Sequence, residues 1–438
     1  MKIEQPNILF LLSDQHRPDW LAFNRKLPLR TPHLQELAGR GMRFPRAFCP
    51  SPLCAPSRAC LASGKSYERC GVRNNNFDYP LEQPTYYQSL RDAGYEVVGV
   101  GKFDLHKNTS IPSSEYTWNL DGSRLLQEWG FTGGIDNEGK MDGSKAYLAA
   151  GTPKGPYLAF LERRGLAAQY VEEHESLKGT LNAYTTALPD DAYCDNWISE
   201  NGLRFLNGFS SDRPWHLVVN FAGPHGPFDV TKSMHERWRE VSFPLPHDND
   251  HPDRRGLLRV RQNYAAMIEN IDRQVGRFLE AVRGRGETHR TIVVYSSDHG
   301  EMLGDHGRWG KSIWYSASVG IPLIVSGPGI GIGVSQTLVS LHDLAATFID
   351  YAGSAPLPGM DAHSLRPLFE GRTGLHRDCV HAGLENWRMI FDGRFKLVLE
   401  TDTAPRLFDL DADPWEDINV ASVYPEVLGR LHSLSAQP

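Results

Sequence analysis

The residues best placed to do chemistry begin with Cys54-Ala-Pro-Ser-Arg58. Pro56 suits the first turn of a helix, where its missing N–H costs nothing. Arg58 to Ala62 continues as one or two helical turns, stopped by Ser63-Gly64. Cys54 is therefore expected at or just before a helix N-terminus, where free amides and the helix dipole hold an anion. Taken alone, it fits an inert buried thiol equally well. Asp14-Gln15, Lys102, His225 and Asp298-His299 each follow an apolar run. Asp14, Asp298 and Gln15 offer the oxygens a hard divalent cation takes, and His299 is compatible with calcium and suits manganese. Lys102 brings positive charge for an anionic group, and His225 can carry a proton.

These side chains need a frame that gathers them. Asn7–Leu12, Tyr95–Val100, Trp215–Phe221, Thr291–Tyr295 and Ile321–Ser326 are short, nearly unbroken apolar runs, the pattern of strands buried on both faces. Thr31–Gly39, Thr85–Gly94, Asp190–Phe209, Arg259–Arg283 and Leu341–Ile349 read as helices between them, and Tyr157–His174 as one more. The alternation predicts an α/β fold, a large mostly parallel sheet sandwiched by helices. Parallel strands would bring the polar residues to one edge, where such sheets bind ligands. Residues 107–190 are loop-rich and read as a variable insertion over a sheet edge, a place for substrate selectivity. From about residue 376 the pattern changes to the short strands Val380-His381, Trp387–Phe391, Phe395–Leu399 and Arg406–Asp409. We expect a catalytic unit over 1–375 and a small C-terminal subdomain with an antiparallel sheet over 376–438.

Composition narrows the partners. The net charge is −7, with acids and bases interspersed, which argues against nucleic acid. The longest apolar runs are far too short to span a bilayer. Met1 to Pro6 leads straight towards a strand without a signal-peptide pattern, so a cytoplasmic location is expected, or a periplasmic one had a leader been removed. Six cysteines are too few for a disulfide framework, although a local bridge between residues 49 and 70 stays open.

Cys54-x-Pro-Ser-Arg58 with Gly64 six residues on resembles the signature of the sulfatase family, whose motif usually ends Leu-Thr-Gly where this chain has Ala62-Ser63-Gly64. The resemblance implies an alkaline-phosphatase-like fold. It implies that a formylglycine-generating maturation enzyme oxidises Cys54 to Cα-formylglycine, whose hydrate is the nucleophile. It also implies one divalent ion, calcium first and manganese second, held by Asp14, Gln15, Cys54, Asp298 and His299. Asp14-Gln15 stands where most members read Asp-Asp, and resembles choline sulfatases and phosphonate monoester hydrolases. Gly101-Lys102-Phe-Asp104-Leu-His106 resembles the family's Gly-Lys-x-His-Leu block. Lys102 would contact sulfate, Asp104 fills the histidine slot, and His106 is the candidate stand-in. Pro224-His225-Gly-Pro-Phe228 resembles the segment whose histidine protonates the leaving group. Lys311 matches a second sulfate-binding lysine, Arg58 would orient the hydrate, and Asn74 falls where relatives meet the substrate anion. The implied activity is hydrolysis of a small-molecule or saccharide sulfate ester. The alternative is a phosphonate monoester or phosphodiester hydrolase of the same superfamily, and third comes a catalytically inactive binding protein. Self-association into a homo-oligomer stays open.

Overall fold

Asn7–Asp14 forms a strand in which all eight residues are buried. Ile8, Phe10 and Leu12 enter the apolar layer on one face of the sheet, Leu9 and Leu11 the layer on the other. The apolar run is unbroken because both faces need apolar partners. This computed structural model describes residues 5–24, 26–107, 109–112, 115, 117–176 and 181–435.

Eight strands make the main sheet, in the order Gly333–Val334, Gly41–Arg43, Leu323–Ser326, Thr291–Ser297, Asn7–Asp14, Trp215–Pro224, Glu96–Gly101, Gly133–Asp136. The four strands that precede the candidate residues are adjacent and parallel. Their ends are also level: Leu12 lies opposite Asn220 and Ser296, and Gly101 opposite Asn220. The polar residue after each strand therefore emerges at one edge. The Arg254–Gly284 helix, capped by Asp253 through the Gly256 N–H at 2.8 Å, lies against this sheet with Ile271, Val275 and Phe278 in its apolar layer. It begins more than a turn before the expected Arg259.

Leu323–Ser326 departs from the parallel majority and runs antiparallel to Thr291–Ser297. Two expectations change. Tyr157–His174 is two helices, Pro156–Arg163 and Ala167–Ser176, parted at Gly165 with its left-handed φ of 70°. Part of the 107–190 segment is sheet: Gly133–Asp136 is the edge strand, parallel to Glu96–Gly101.

At the C-terminus, Val380–Leu384, Trp387–Phe391, Phe395–Glu400 and Arg406–Asp409 form the antiparallel sheet. One face joins the main core through Trp387, Met389 and Phe391. The other, with Ile390, Leu397 and Leu407, packs on Leu431 of the Pro425–Ser435 helix. All six cysteines are free thiols, so no bridge links residues 49 to 70. Among the described residues, no helix is long and apolar enough to cross a membrane.

Candidate active site

Cys54 is the first residue of a helix that runs to Ser63 and ends at Gly64 in the left-handed region. Short pairing of Ala47–Phe48 with Val339–Ser340 and a 2.8 Å bond from the Cys49 N–H to the Val319 carbonyl fix the approach to it. Ser57 Oγ donates to the Asp298 carbonyl at 2.6 Å, pinning the helix to the end of the Thr291–Ser297 strand. Leu53, at the cap position, has no capping side chain, and Asn75 Oδ1 accepts from the Ala55 N–H at 3.1 Å instead. With that amide taken and none on Pro56, the helix terminus holds an anion less directly than its position suggests.

Lysines supply the charge. Gly101 ends its strand at φ 110°, and a Cβ there would lie 1.9 Å from the Asn220 carbonyl oxygen, so only glycine fits. The Lys102 N–H then donates to that carbonyl at 3.1 Å. Its ammonium lies 2.5 Å from Asp14 Oδ2, 3.1 Å from Asp104 Oδ2 and 3.7 Å from Cys54 Sγ. Lys311 Nζ is 3.3 Å from the same sulfur, and His299 Nε2 is 3.4 Å from it. Burial and Asp14 push the Cys54 thiol up, yet Lys102, Lys311 and His299 outweigh them and hold it well below its ordinary value. Whatever atom occupies this position is favoured as an anion.

The residues here fit a divalent ion. Asp14, Cys54, Asp298 and His299, all buried, each turn a ligand atom to one point, with those atoms within 4.8 Å of one another. His299 Nδ1 donates to the Gly300 carbonyl at 3.0 Å, leaving the Nε2 lone pair for the cluster. Burial and then Asp14 push the Asp298 carboxyl up. Two buried carboxylates therefore repel, the condition a divalent cation relieves.

His225 follows the Trp215–Pro224 strand and is half-buried beside this cluster. Its Nδ1 donates to the Gly226 carbonyl at 2.5 Å, and Nε2 is left for a proton in transit. Burial and then Lys311 lower its affinity for that proton, against the pull of Asp14. Cys54, Lys102, His225 and Lys311 line a cavity of about 210 Å³, together with Lys107 and Lys145.

Other predicted residues sit differently. Arg58 grips the ligands: Nε and Nη2 lie 3.0 and 2.9 Å from Asp298 Oδ2, Nη2 is 3.4 Å from Asp14 Oδ2, and Nη1 donates to the Lys102 carbonyl. It orients carboxylates more directly than a hydrate on residue 54. Gln15 donates to Glu301 and accepts from Lys311 at 2.5 Å, so its amide oxygen faces the second lysine. Asn74 is turned away, donating to Glu385 of the C-terminal sheet at 2.7 Å. His106 is also outside, with Nε2 3.0 Å from the Tyr79 carbonyl and its ring on Trp129. The block's sequence spacing does not carry past Asp104, whose φ of 53° turns the chain.

Asn75, Glu301, Lys107 and Asp142 went unassigned in the sequence. Glu301 follows Asp298-His299-Gly300 directly, which is a usable signal, and its other oxygen accepts the Leu303 and Gly310 amides at 2.9 and 2.7 Å. Lys107 lies 3.1 Å from Asp104, three residues before it, and 2.7 Å from Asp142, and nothing in the sequence around Lys107 predicts the second pairing.

The Sulfatase family model matches residues 6–354. A choline-sulfatase from Rhizobium meliloti (strain 1021) is 28% identical over 468 residues, covering 96% of this chain and 83% of its own. An arylsulfatase from Clostridium perfringens (strain 13 / Type A) is 25% identical over 453 residues, covering 95% of this chain and 90% of its own. The crystal structure of the phosphonate monoester hydrolase of Agrobacterium radiobacter shares the fold, with a TM-score of 0.78 at 24% identity over 99% of this chain and 96% of that one. With the family match spanning most of its length, this chain belongs to the sulfatase family of enzymes.

Proposed function

We propose that the chain hydrolyses sulfate monoesters of a small alcohol or saccharide, using Cα-formylglycine made from Cys54 by a maturation enzyme and one divalent ion. The observation that carries this reading is the ring of Lys102, Lys311 and His299 around the one cysteine of the maturation motif. Sγ marks where an oxygen of the aldehyde hydrate would stand. Matured, residue 54 supplies an oxygen nucleophile and a second hydroxyl that lets sulfate leave, which a thiol lacks. Asp14, Asp298 and His299, with Gln15 in reach, would hold the ion, calcium before manganese, which supplies Lewis acidity.

The chain's own side chains do the rest. Lys102 and Lys311 stabilise charge on the non-bridging sulfate oxygens, with donors already aimed at the site. Arg58 keeps both carboxylates in place. His225 protonates the departing alkoxide from Nε2. Lys107 and Lys145 line the same cavity, which would also receive the alcohol. The choline-sulfatase and arylsulfatase relatives favour sulfate esters.

Asp14-Gln15 and the shared fold favour a second reading, a phosphonate monoester or phosphodiester hydrolase. Such a substrate has one fewer free oxygen and an extra substituent, which Lys102 would crowd. The test is kcat/KM for matched aryl sulfate and aryl phenylphosphonate, using protein in which peptide mass spectrometry shows residue 54 converted. The sulfate should be the better substrate. A consistent phosphonate preference overturns the first reading, and full activity with only unmodified cysteine overturns both.

A further inference from the structure

Apart from the catalytic cluster, three ligand atoms converge that the reaction does not use. They belong to His247, His306 and Asp417, and lie within 4.8 Å of one another. His247 Nε2 is 3.0 and 3.2 Å from the two Asp417 oxygens, and His306 Nδ1 is 3.7 Å from Oδ1. Two ligands at zinc bond lengths of about 2.0–2.2 Å in a tetrahedral arrangement lie about 3.4 Å apart, and these separations bracket that value. A hydrogen-bonded histidine–aspartate pair accounts for the shortest distance alone. It does not explain a second imidazole nitrogen turned to the same carboxylate.

Both rings are held in place. His247 stacks on Trp415 at 4.2 Å and 11°, and His306 on Tyr315 at 4.2 Å and 12°. The His306 N–H donates to the His247 carbonyl at 2.8 Å, and the His247 N–H to Asp305 at 2.8 Å. Orientation is thus fixed before any ion arrives, as a metal site requires. Asp248 Oδ2, 4.0 Å from His306 Nδ1, is in reach to close a fourth position.

We propose that His247, His306 and Asp417 form a second metal site, for a borderline divalent transition ion of the zinc type. It clasps the C-terminal region to the catalytic part. Asp417 follows Glu416, whose carboxylate accepts from buried Lys396 of the C-terminal sheet at 2.5 Å and from the Ser316 amide at 2.7 Å. One loop therefore carries two successive anchors, Glu416 directed inward and Asp417 to the histidines. The proposal shares no residue with the catalytic cluster and does not rest on the sulfatase reading.

The full chain, equilibrated with zinc and freed of excess by gel filtration, tests it by elemental analysis. His247→Ala, His306→Ala and Asp417→Asn should each hold one zinc fewer per chain than wild type, while Asp298→Ala keeps this one. Zinc should raise the melting temperature of Asp298→Ala but not of His306→Ala in the same background. Asp417→Asn, at an exposed position, gives the answer if the alanine variants fold poorly. Equal zinc in wild type and Asp417→Asn, or no zinc-dependent shift in Asp298→Ala, overturns the proposal and leaves an ion pair only.

Discussion

Replacing His225 by alanine separates proton transfer from every other contribution of the site. The 2.5 Å bond to the Gly226 carbonyl occupies Nδ1, so only Nε2 can deliver a proton. Burial and Lys311 lower the affinity of the ring for it, so the protonated form is a ready donor. Alanine removes the acid and also a group that pulls on Asp14, and that second effect is the same for every substrate. The acid term is not: it is worth roughly 10²–10⁴-fold, about 3–5 kcal/mol of barrier, where the leaving oxygen needs a proton. The assay is kcat/KM along a series from alkyl and sugar sulfates to nitrophenyl sulfates. His225→Ala should lose that factor on the alkyl end and far less on the nitrophenyl end, so its dependence on leaving-group basicity steepens. Parallel losses along the whole series would refute the assignment and leave His225 an electrostatic or packing residue.

Three further outcomes are expected. Chelation should abolish turnover, and Asp298→Asn should lose the bound ion with its circular dichroism unchanged; full activity in protein that elemental analysis shows to be metal-free rejects the site. Lys396→Met should destabilise by on the order of 3–5 kcal/mol, because buried Glu416 is left uncompensated; a denaturation midpoint near wild type would show the pair to be dispensable. Burial raises the Glu138 carboxyl from 4.5 to about 7, although it accepts the Leu158 and Tyr157 amides. The fold therefore favours its protonated form, a contribution fully present below about 4.5 and lost as pH rises through 7, on the order of 3 kcal/mol. Unfolding free energies across that window should flatten in Glu138→Gln, and an unchanged slope refutes the account.

The sheet was legible because strands buried on both faces are mostly apolar, and Ile8–Leu12 and Ile292–Tyr295 are unbroken apolar runs. The polar residues just past such runs then fall at an edge, which is where Asp14, Lys102, His225 and Asp298 stand. Their meeting needs adjacent strands with level ends, and sequence spacing does not encode that register. Loops were less legible for a related reason. Three consecutive asparagines give no phase, and the bond to the Ala55 amide falls to Asn75, not Asn74. One residue with positive φ at Asp104 was enough to send His106 to Tyr79. The antiparallel Leu323–Ser326 strand looks the same as a parallel one, since burial fixes composition and the connection fixes direction. Gly165 was a readable stop inside the expected Tyr157–His174 helix, because Arg-Arg-Gly at a helix end is a common terminator.

Asp104 gives the site its own character. Where the family block has histidine, this chain sets a carboxylate 3.1 Å from both Lys102 and Lys107. Burial would lower the Lys102 ammonium, but Asp104 and then Asp14 outweigh it and raise it well above its ordinary value. Lys102 is thus permanently charged, yet held between two anions, so its field at Cys54 is partly cancelled. A divalent ion at Asp14 and Asp298 would take up one of those anions and turn the lysine's charge toward the cavity. Metal and substrate anion should therefore bind cooperatively, since each favours the same redistribution of charge, and such coupling is reciprocal. Asp104 sets its strength: it secures Lys102 in the absence of substrate and draws Lys107 and Asp142 of the following segment up to the cavity wall. The departure from the family block is in this way a coherent one, because Asp104 keeps Lys102 in position by charge.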